Sequence, residues 1–211
     1  MVDSGTWDLI HRERSAVADM LGGLTPEQWN QRSLCGDWSV RMAAAHIVAG
    51  AEQTTPHFLA RLVASGLRFN SMIDVDAHRM GELSPDEIER RLRARTATTN
   101  HPPGPVMAML GEVVVHGEDI RRALGIIGST PPEAVTACLD MFSSGNFPVG
   151  GKRRVAGLRL VSSDVDWSHG SGPEVTGPGM ALLVAMTGRR EGADELSGDG
   201  VATLSGRMPV T

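Results

Sequence analysis

Three short segments constrain the fold of this 211-residue chain more than any other feature: Thr25–Pro26–Glu27–Gln28, Ser84–Pro85–Asp86–Glu87 and Thr130–Pro131–Pro132–Glu133. Each sets a hydroxyl at a helix N-cap, a proline in the first turn where no backbone N–H is needed, and a Glu or Gln three residues on. Ser39 is a fourth N-cap, opening a helix over 40–51. Trp7, Ile10, Arg14, Val17, Ala18 and Leu21 recur at helical spacing up to the stop at Gly22–Gly23. Pro56 kinks the 40–51 helix or begins its successor, and a further helix runs from Gly104 or Pro105 to Leu124, ending at Gly125. Four substantial helices with short or moderate connections make a helix bundle. The character changes at Ser143–Ser144–Gly145–Asn146 and Gly150–Gly151. The predicted organisation is therefore a bundle over residues 1–147 and a small α/β domain over 148–211. The latter is read as strands at 155–161 and 201–204 with a short helix from Gly179 to Thr187 between them. The predicted fold class is mainly α.

Composition enters by what it removes. The net charge of −5, without a basic run, leaves no positive field for nucleic acid. There is no tyrosine, so no phenol can serve as acid, base or nucleophile. The two cysteines, Cys35 and Cys138, are far apart, which excludes a Cys-rich zinc site and a disulfide scaffold. Cys35 has no basic sequence neighbour to activate it and Cys138 sits in an apolar helix, so neither is expected to take part in chemistry. The first fourteen residues lack the apolar stretch of a secretory signal. The most apolar run, Met42 to Ala51, contains His46 and is too short to span a bilayer. The expectation is a cytoplasmic protein with no membrane partner. Abundant Ala and Gly with a single lysine, Lys152, suggest a GC-rich bacterial genome.

The chemistry concentrates in Gly111–Glu112–Val113–Val114–Val115–His116–Gly117–Glu118–Asp119. At 100° per residue, Glu112, His116 and Asp119 share one narrow stripe beside the apolar stripe of Val113, Gly117, Ile120 and Leu124. Glu112 and His116, one turn apart, can reach one metal ion from one helix, with Asp119 placed to orient the imidazole. A third ligand has to come from another helix, and His46, in its Ala-rich surroundings, is the candidate. His46, Glu112 and His116 would form a His₂Glu set with a position left open. Spacing alone leaves two other readings open: a hydrogen-bonded core histidine at 46, and a surface charge pair on the later helix.

At these same residues the chain resembles a known family. The stretch from Cys35 through Gly36, Trp38, Ser39 and Val40 to His46 is similar to the "G-x-W-[ST]-V-x-D-x-x-x-H" segment of DinB-like bundles, and more narrowly of the mycothiol-dependent maleylpyruvate isomerase family. Glu112 to Gly125 resembles that family's E-x-x-x-H-x-x-D motif. Asp164–Val165–Asp166–Trp167, Gly172 to Pro178, Leu182 to Arg190 and Leu196 to Leu204 resemble its C-terminal region. The resemblance implies a DinB-like four-helix bundle binding a divalent metal, usually zinc, through His46, Glu112 and His116. It further implies mycothiol as thiol co-substrate and an actinobacterial isomerase or thiol transferase acting on a small electrophile, as monomer or homodimer. Met42 stands where the family often has Asp. The family places a substrate-binding arginine in the C-terminal domain; Arg189, Arg190 and Arg207 are candidates here, with Arg189 and Asp119 the residues singled out for a catalytic role. Two other readings are kept: a hydrolase using metal-bound water, and a non-catalytic metal-binding module.

Overall fold

The computed structural model describes residues 4–128 and 130–209. The chain forms two compact units, one up to Gly128 and the other from Thr130 onward.

The first unit contains α1 (Ser4–Gly22), α2 (Pro26–Asn30), α3 (Val40–Glu52), α4 (Thr55–Ala64), α5 (Phe69–Gly81), α6 (Pro85–Arg93) and α7 (Met107–Leu124). Four of these close a ring, in which α1 packs on α7, α7 on α3, α3 on α6 and α6 on α1. The ring buries Ile10, Val17 and Leu21 of α1 against Ala44, Ile47 and Val48 of α3, Ile88 and Leu92 of α6, and Leu110, Val114 and Ile120 of α7. Outside it, α5 lies along α3 and α4 along α5. No described helix is long and apolar enough to cross a membrane.

Local chemistry explains the boundaries. Thr25 and Gln28 form the reciprocal capping box, and the Ser39 and Ser84 hydroxyls accept from the backbone N–H groups of Met42 and Glu87. Pro56 falls in the first turn of α4, so it begins the successor helix rather than kinking α3. Gly125 ends α7 in the left-handed conformation, φ 63°, which a glycine adopts without a Cβ clash.

The second unit differs from expectation in three places. It holds α8 (Pro132–Ser144), α9 (Gly151–Val155), β1 (Arg159–Ser162), β2 (Ser168–Gly170), β3 (Glu174–Gly177), α10 (Gly179–Met186), a 3₁₀ turn (Arg190–Glu195) and α11 (Val201–Ser205). First, the units divide at Gly128 rather than at 147/148. Helix α8 buries Ala134, Cys138, Leu139 and Phe142 and packs on α10 and α9, so it belongs with the later residues. Second, α8 takes Pro131, not Thr130, as its N-cap. The ring of Pro132 bars the residue before it from helical ψ, and Pro131 is extended at ψ 137°. Third, 201–204 is helical, and the expected 155–161 strand splits into the end of α9 and β1. Four-residue apolar runs carry no periodicity that separates helix from strand.

The sheet order is β2–β1–β3. β2 runs antiparallel to β1 with Leu160 opposite His169, and β3 runs parallel to β1 with Leu160 opposite Val175.

Candidate functional site

Two helices and one turn of the first unit assemble the site. The turn runs from Arg32, which bridges to Ser39, and is held closed by the Ser33 N–H to Trp38 carbonyl bond of 2.9 Å. The Leu34 N–H donates to the Asp119 carbonyl at 3.3 Å, which fastens the turn to α7. Trp38 is thereby laid over both histidines, with ring centroids 5.1 Å from His46 and 5.8 Å from His116. Its indole N–H is anchored on Asp74 Oδ1 at 3.1 Å.

His46 enters from α3, and Glu112 and His116 enter from α7. His46 Nε2 lies 3.7 Å from Glu112 Oε2, and the two imidazoles meet edge to face with centroids 4.9 Å apart. Glu112 fits there because residue 50 of α3 has no side chain: a Cβ on Gly50 would overlap its carboxylate. His116 Nδ1 is 3.0 Å from Asp119 Oδ2, in a carboxylate that is 1% exposed. His116 Nδ1–H thus donates to Asp119, which leaves Nε2 as the nitrogen an ion could take on displacing its proton, the support that a ligating histidine receives. Met42 lies over Gly81 of α5.

Burial is the largest single influence on each of the three titratable groups. Burial, followed by the neighbouring His116, pushes His46 down to about 3, so it is neutral at neutral pH. Burial raises Glu112 to about 7 against the opposing pull of His116 and Arg14. For His116 burial acts downward, but the hydrogen bonds and charges of Asp119 and Cys35 outweigh it and raise the imidazole to about 10.

Contrary to the expectation that Cys35 takes no part, its sulfur, a His116 nitrogen and an Asp119 oxygen all lie within 4.8 Å of one another. The residue it contacts is 81 positions away in sequence, which is why no neighbour announced it. His46 and Glu112 stand outside that tighter triplet and face its shared member, His116. Trp38 stands in the resembling segment without an assigned role, and Gly50 and Arg14 are contributors that sequence reasoning passed over. Of those two, only Gly50, one turn after His46 on the same helix, left a readable signal.

Both donor sets suit a divalent ion of intermediate softness: imidazole with carboxylate in one, thiol, imidazole and carboxylate in the other. An orphaned polar atom accompanies them. His46 Nδ1 is buried without a hydrogen-bond partner, and Nε2 stands beyond hydrogen-bond range of Glu112. A buried imidazole so poorly bonded is costly unless a further group engages it.

Residues 10–101 match the family model described as the mycothiol maleylpyruvate isomerase N-terminal domain. The matched segment contains Cys35, Trp38, His46 and Gly50, while Glu112 and His116 follow on α7 beyond it. The whole chain is similar in fold to the crystal structure of the mycothiol-dependent maleylpyruvate isomerase, with 14% identity, 93% of this chain and 92% of that chain covered, and a TM-score of 0.64. A histidine-to-alanine mutant of that isomerase gives 15% identity, the same coverage and a TM-score of 0.61. At such identities the likeness establishes the fold. No curated protein sequence matches this chain.

Arg189 lies in the second unit, where its guanidinium donates to the Thr187 carbonyl at 3.1 Å. Arg190 donates to the Pro209 carbonyl, and Arg207 to the carbonyls of Arg154 and Ala156. All three of these arginines engage backbone oxygens.

Proposed function

We propose that this chain is a divalent-metal- and thiol-dependent enzyme that joins a low-molecular-weight thiol, mycothiol by kinship, to a small electrophile. It acts as an isomerase of a maleylpyruvate-like alkene or as a thiol transferase. The observation that carries this reading is the pair of imidazoles from α3 and α7 turned on one another beside Glu112 and beneath Trp38. Support comes from the matched domain and from a fold shared with an isomerase that depends on mycothiol.

A divalent ion, zinc by its donor set, held by His46, Glu112 and His116 would supply a Lewis acid that makes a thiol nucleophilic at neutral pH. The remaining tasks fall to side chains. Asp119 keeps a proton on His116 Nδ1 and so aims Nε2 inward. Trp38 roofs the two imidazoles and limits water. Arg14 offsets the charge of Glu112. Addition of sulfur to one alkene carbon converts the double bond to a single bond. Rotation and expulsion of the same thiol then restore the alkene in the other geometry, and no thiol is consumed. With an electrophile carrying a leaving group, the same attack consumes one thiol per turnover.

The geometry of Cys35 favours a second reading. A protein thiol beside an imidazole that is itself oriented by a carboxylate is the order of groups in nucleophilic catalysis. In that case the attacking sulfur belongs to the protein.

The test is turnover by metal-loaded protein with mycothiol and a panel of electrophilic alkenes and alkyl donors. Thiol-dependent conversion, lost in a His46→Ala, His116→Ala double variant, is the expected result; full activity of that variant overturns the reading. Conversion without added thiol points to metal-activated water. Loss of turnover in Cys35→Ser with metal retained points to the protein sulfur.

A further inference from the structure

The second unit holds a cavity of about 380 Å³ lined by Gly150, Arg153, Arg154, Ala156 and Arg207. Three of these five residues are arginines and none is acidic, so the lining carries about +3 in a chain whose net charge is −5. Among the described residues none of the three has a carboxylate partner. Arg154 is 9% exposed. Its Nη1 donates to the carbonyl of Met186, the last residue of α10, and its Nη2 to the Val149 carbonyl at 3.2 Å, while Nε is buried without a partner. Arg207 Nη1 donates to the carbonyls of Arg154 and Ala156 at 2.8 and 2.7 Å, which brings a second guanidinium to the same turn. Its Nε and Nη2 have no partner among the described residues. The third guanidinium lies over Gly150: Arg153 Nη2 is 3.3 Å from where a Cβ would stand, and a φ of 75° reserves that position for glycine.

We infer that this cavity is a binding site for a phosphate group, as the free ion or as a phosphomonoester. A buried guanidinium held only by carbonyl oxygens is a charge without a counter-charge, which is costly until an anion approaches it. Burial, and after it the charges of Arg153 and Arg189, hold Arg154 below the usual arginine range, a repulsion that an anion in the cavity relieves. The number of donors selects the anion. A carboxylate brings one charge and two oxygens, whereas a phosphate group at neutral pH brings about −2 and three strong acceptor oxygens, one for each guanidinium. Beside the arginines the lining has only Gly150 and Ala156, whose side chains offer neither donor nor acceptor to a sugar or a base. The site therefore reads the phosphate and not the body attached to it. Arg154 and Arg207 already tie the turn before α9 to the end of α10 and to the segment after α11, so occupancy stabilises the second unit. None of these residues belongs to the histidine site, and the inference does not depend on the thiol chemistry proposed above.

Full-length protein is titrated calorimetrically with inorganic phosphate, glucose 6-phosphate and acetate at neutral pH and constant ionic strength. The expected result is one phosphate group per chain, bound at least about tenfold more tightly than acetate, with a Tm that rises with phosphate concentration. Arg153→Gln and Arg207→Gln should each weaken binding about tenfold. The Arg153 side chain is exposed and makes no bond to a described residue, so its loss leaves the fold intact. Arg207→Gln gives up bonds to two carbonyls and is read beside its circular dichroism. Lys152→Gln removes the same charge from the neighbouring exposed position, outside the lining, and should bind like the parent. Phosphate bound no more tightly than acetate, unchanged affinity in Arg153→Gln, or an equal loss in Lys152→Gln would each overturn the assignment. Within the site, glucose 6-phosphate bound as tightly as inorganic phosphate assigns it to phosphomonoesters, and its exclusion assigns it to the free ion.

Discussion

The carboxylate of Glu112 occupies the space that a side chain at Gly50 would fill. Gly50 and Glu112 lie on different helices, so this fit sets how closely α3 and α7 approach and whether Glu112 can face His46. Gly50→Ala should accordingly lower divalent-metal affinity at least about tenfold. Helical content should be retained, since alanine favours a helix over glycine by about 1 kcal/mol. Metal titration alongside circular dichroism checks both; unchanged affinity would show that Glu112 does not need this space.

The two donor sets share His116 and are separable by substitution. If His46, Glu112 and His116 hold the ion, His46→Ala and Glu112→Gln should abolish stoichiometric metal while Cys35→Ser retains it. Asp119→Asn should weaken binding by about 10- to 100-fold through the loss of its hold on His116. Elemental analysis after dialysis reads all four. Retention in the first two variants with loss in Cys35→Ser would reassign the site to Cys35, His116 and Asp119.

Metal binding should release protons in a pH-dependent number. At pH 8 His116, raised to about 10, still carries the proton that an ion must displace, while Glu112, at about 7, is mostly ionised. The release is then about one proton, rising toward about two near pH 6 as Glu112 protonates. His46, at about 3, contributes none in this range. Affinity thus increases with pH, and calorimetry in buffers of different ionisation enthalpy counts the protons.

Metal-free stability should slope the other way in alkali. A folded-state pKa raised from 6.5 to about 10 means that the contribution of His116 is complete below 6.5 and lost as pH rises to about 10. Glu112, raised from 4.5 to about 7, loses its contribution across that lower window. His46 is depressed, so its contribution is present above 6.5 and lost as pH falls toward 3. Between 4.5 and 6.5 the last two oppose one another. From about 7 to 10 His116 acts with little opposition, and the metal-free Tm should fall there. A flat Tm in His116→Asn over the same range would confirm the source.

The Ser39 hydroxyl caps the helix that carries His46. Ser39→Ala should cost about 1 kcal/mol of stability in chemical denaturation, and Ser39→Asp should recover most of it.

The helices and their starts were legible because caps, prolines and apolar periodicity act within a few residues of one another. Thr25, Ser39 and Ser84 cap where the sequence placed them, and the stripe of Glu112, His116 and Asp119 needed only the pitch of a helix. The second unit was less legible. Val201 to Leu204 has no local feature that prefers strand to helix, and α8 looks like one more bundle helix until its apolar face is seen against α10.

The sequence by itself determined the helical framework, the absence of a phenol, and a His and Glu presented one turn apart on one helix. Tertiary structure alone decided what meets them. The Leu34 N–H to Asp119 carbonyl bond brings Cys35 to His116 and Trp38 over both histidines, and missing atoms at Gly50 admit Glu112 to α3. Those relations join residues on separate elements, up to 85 positions apart. They are set by the packing of a turn and two helices, which periodicity within any one segment does not encode.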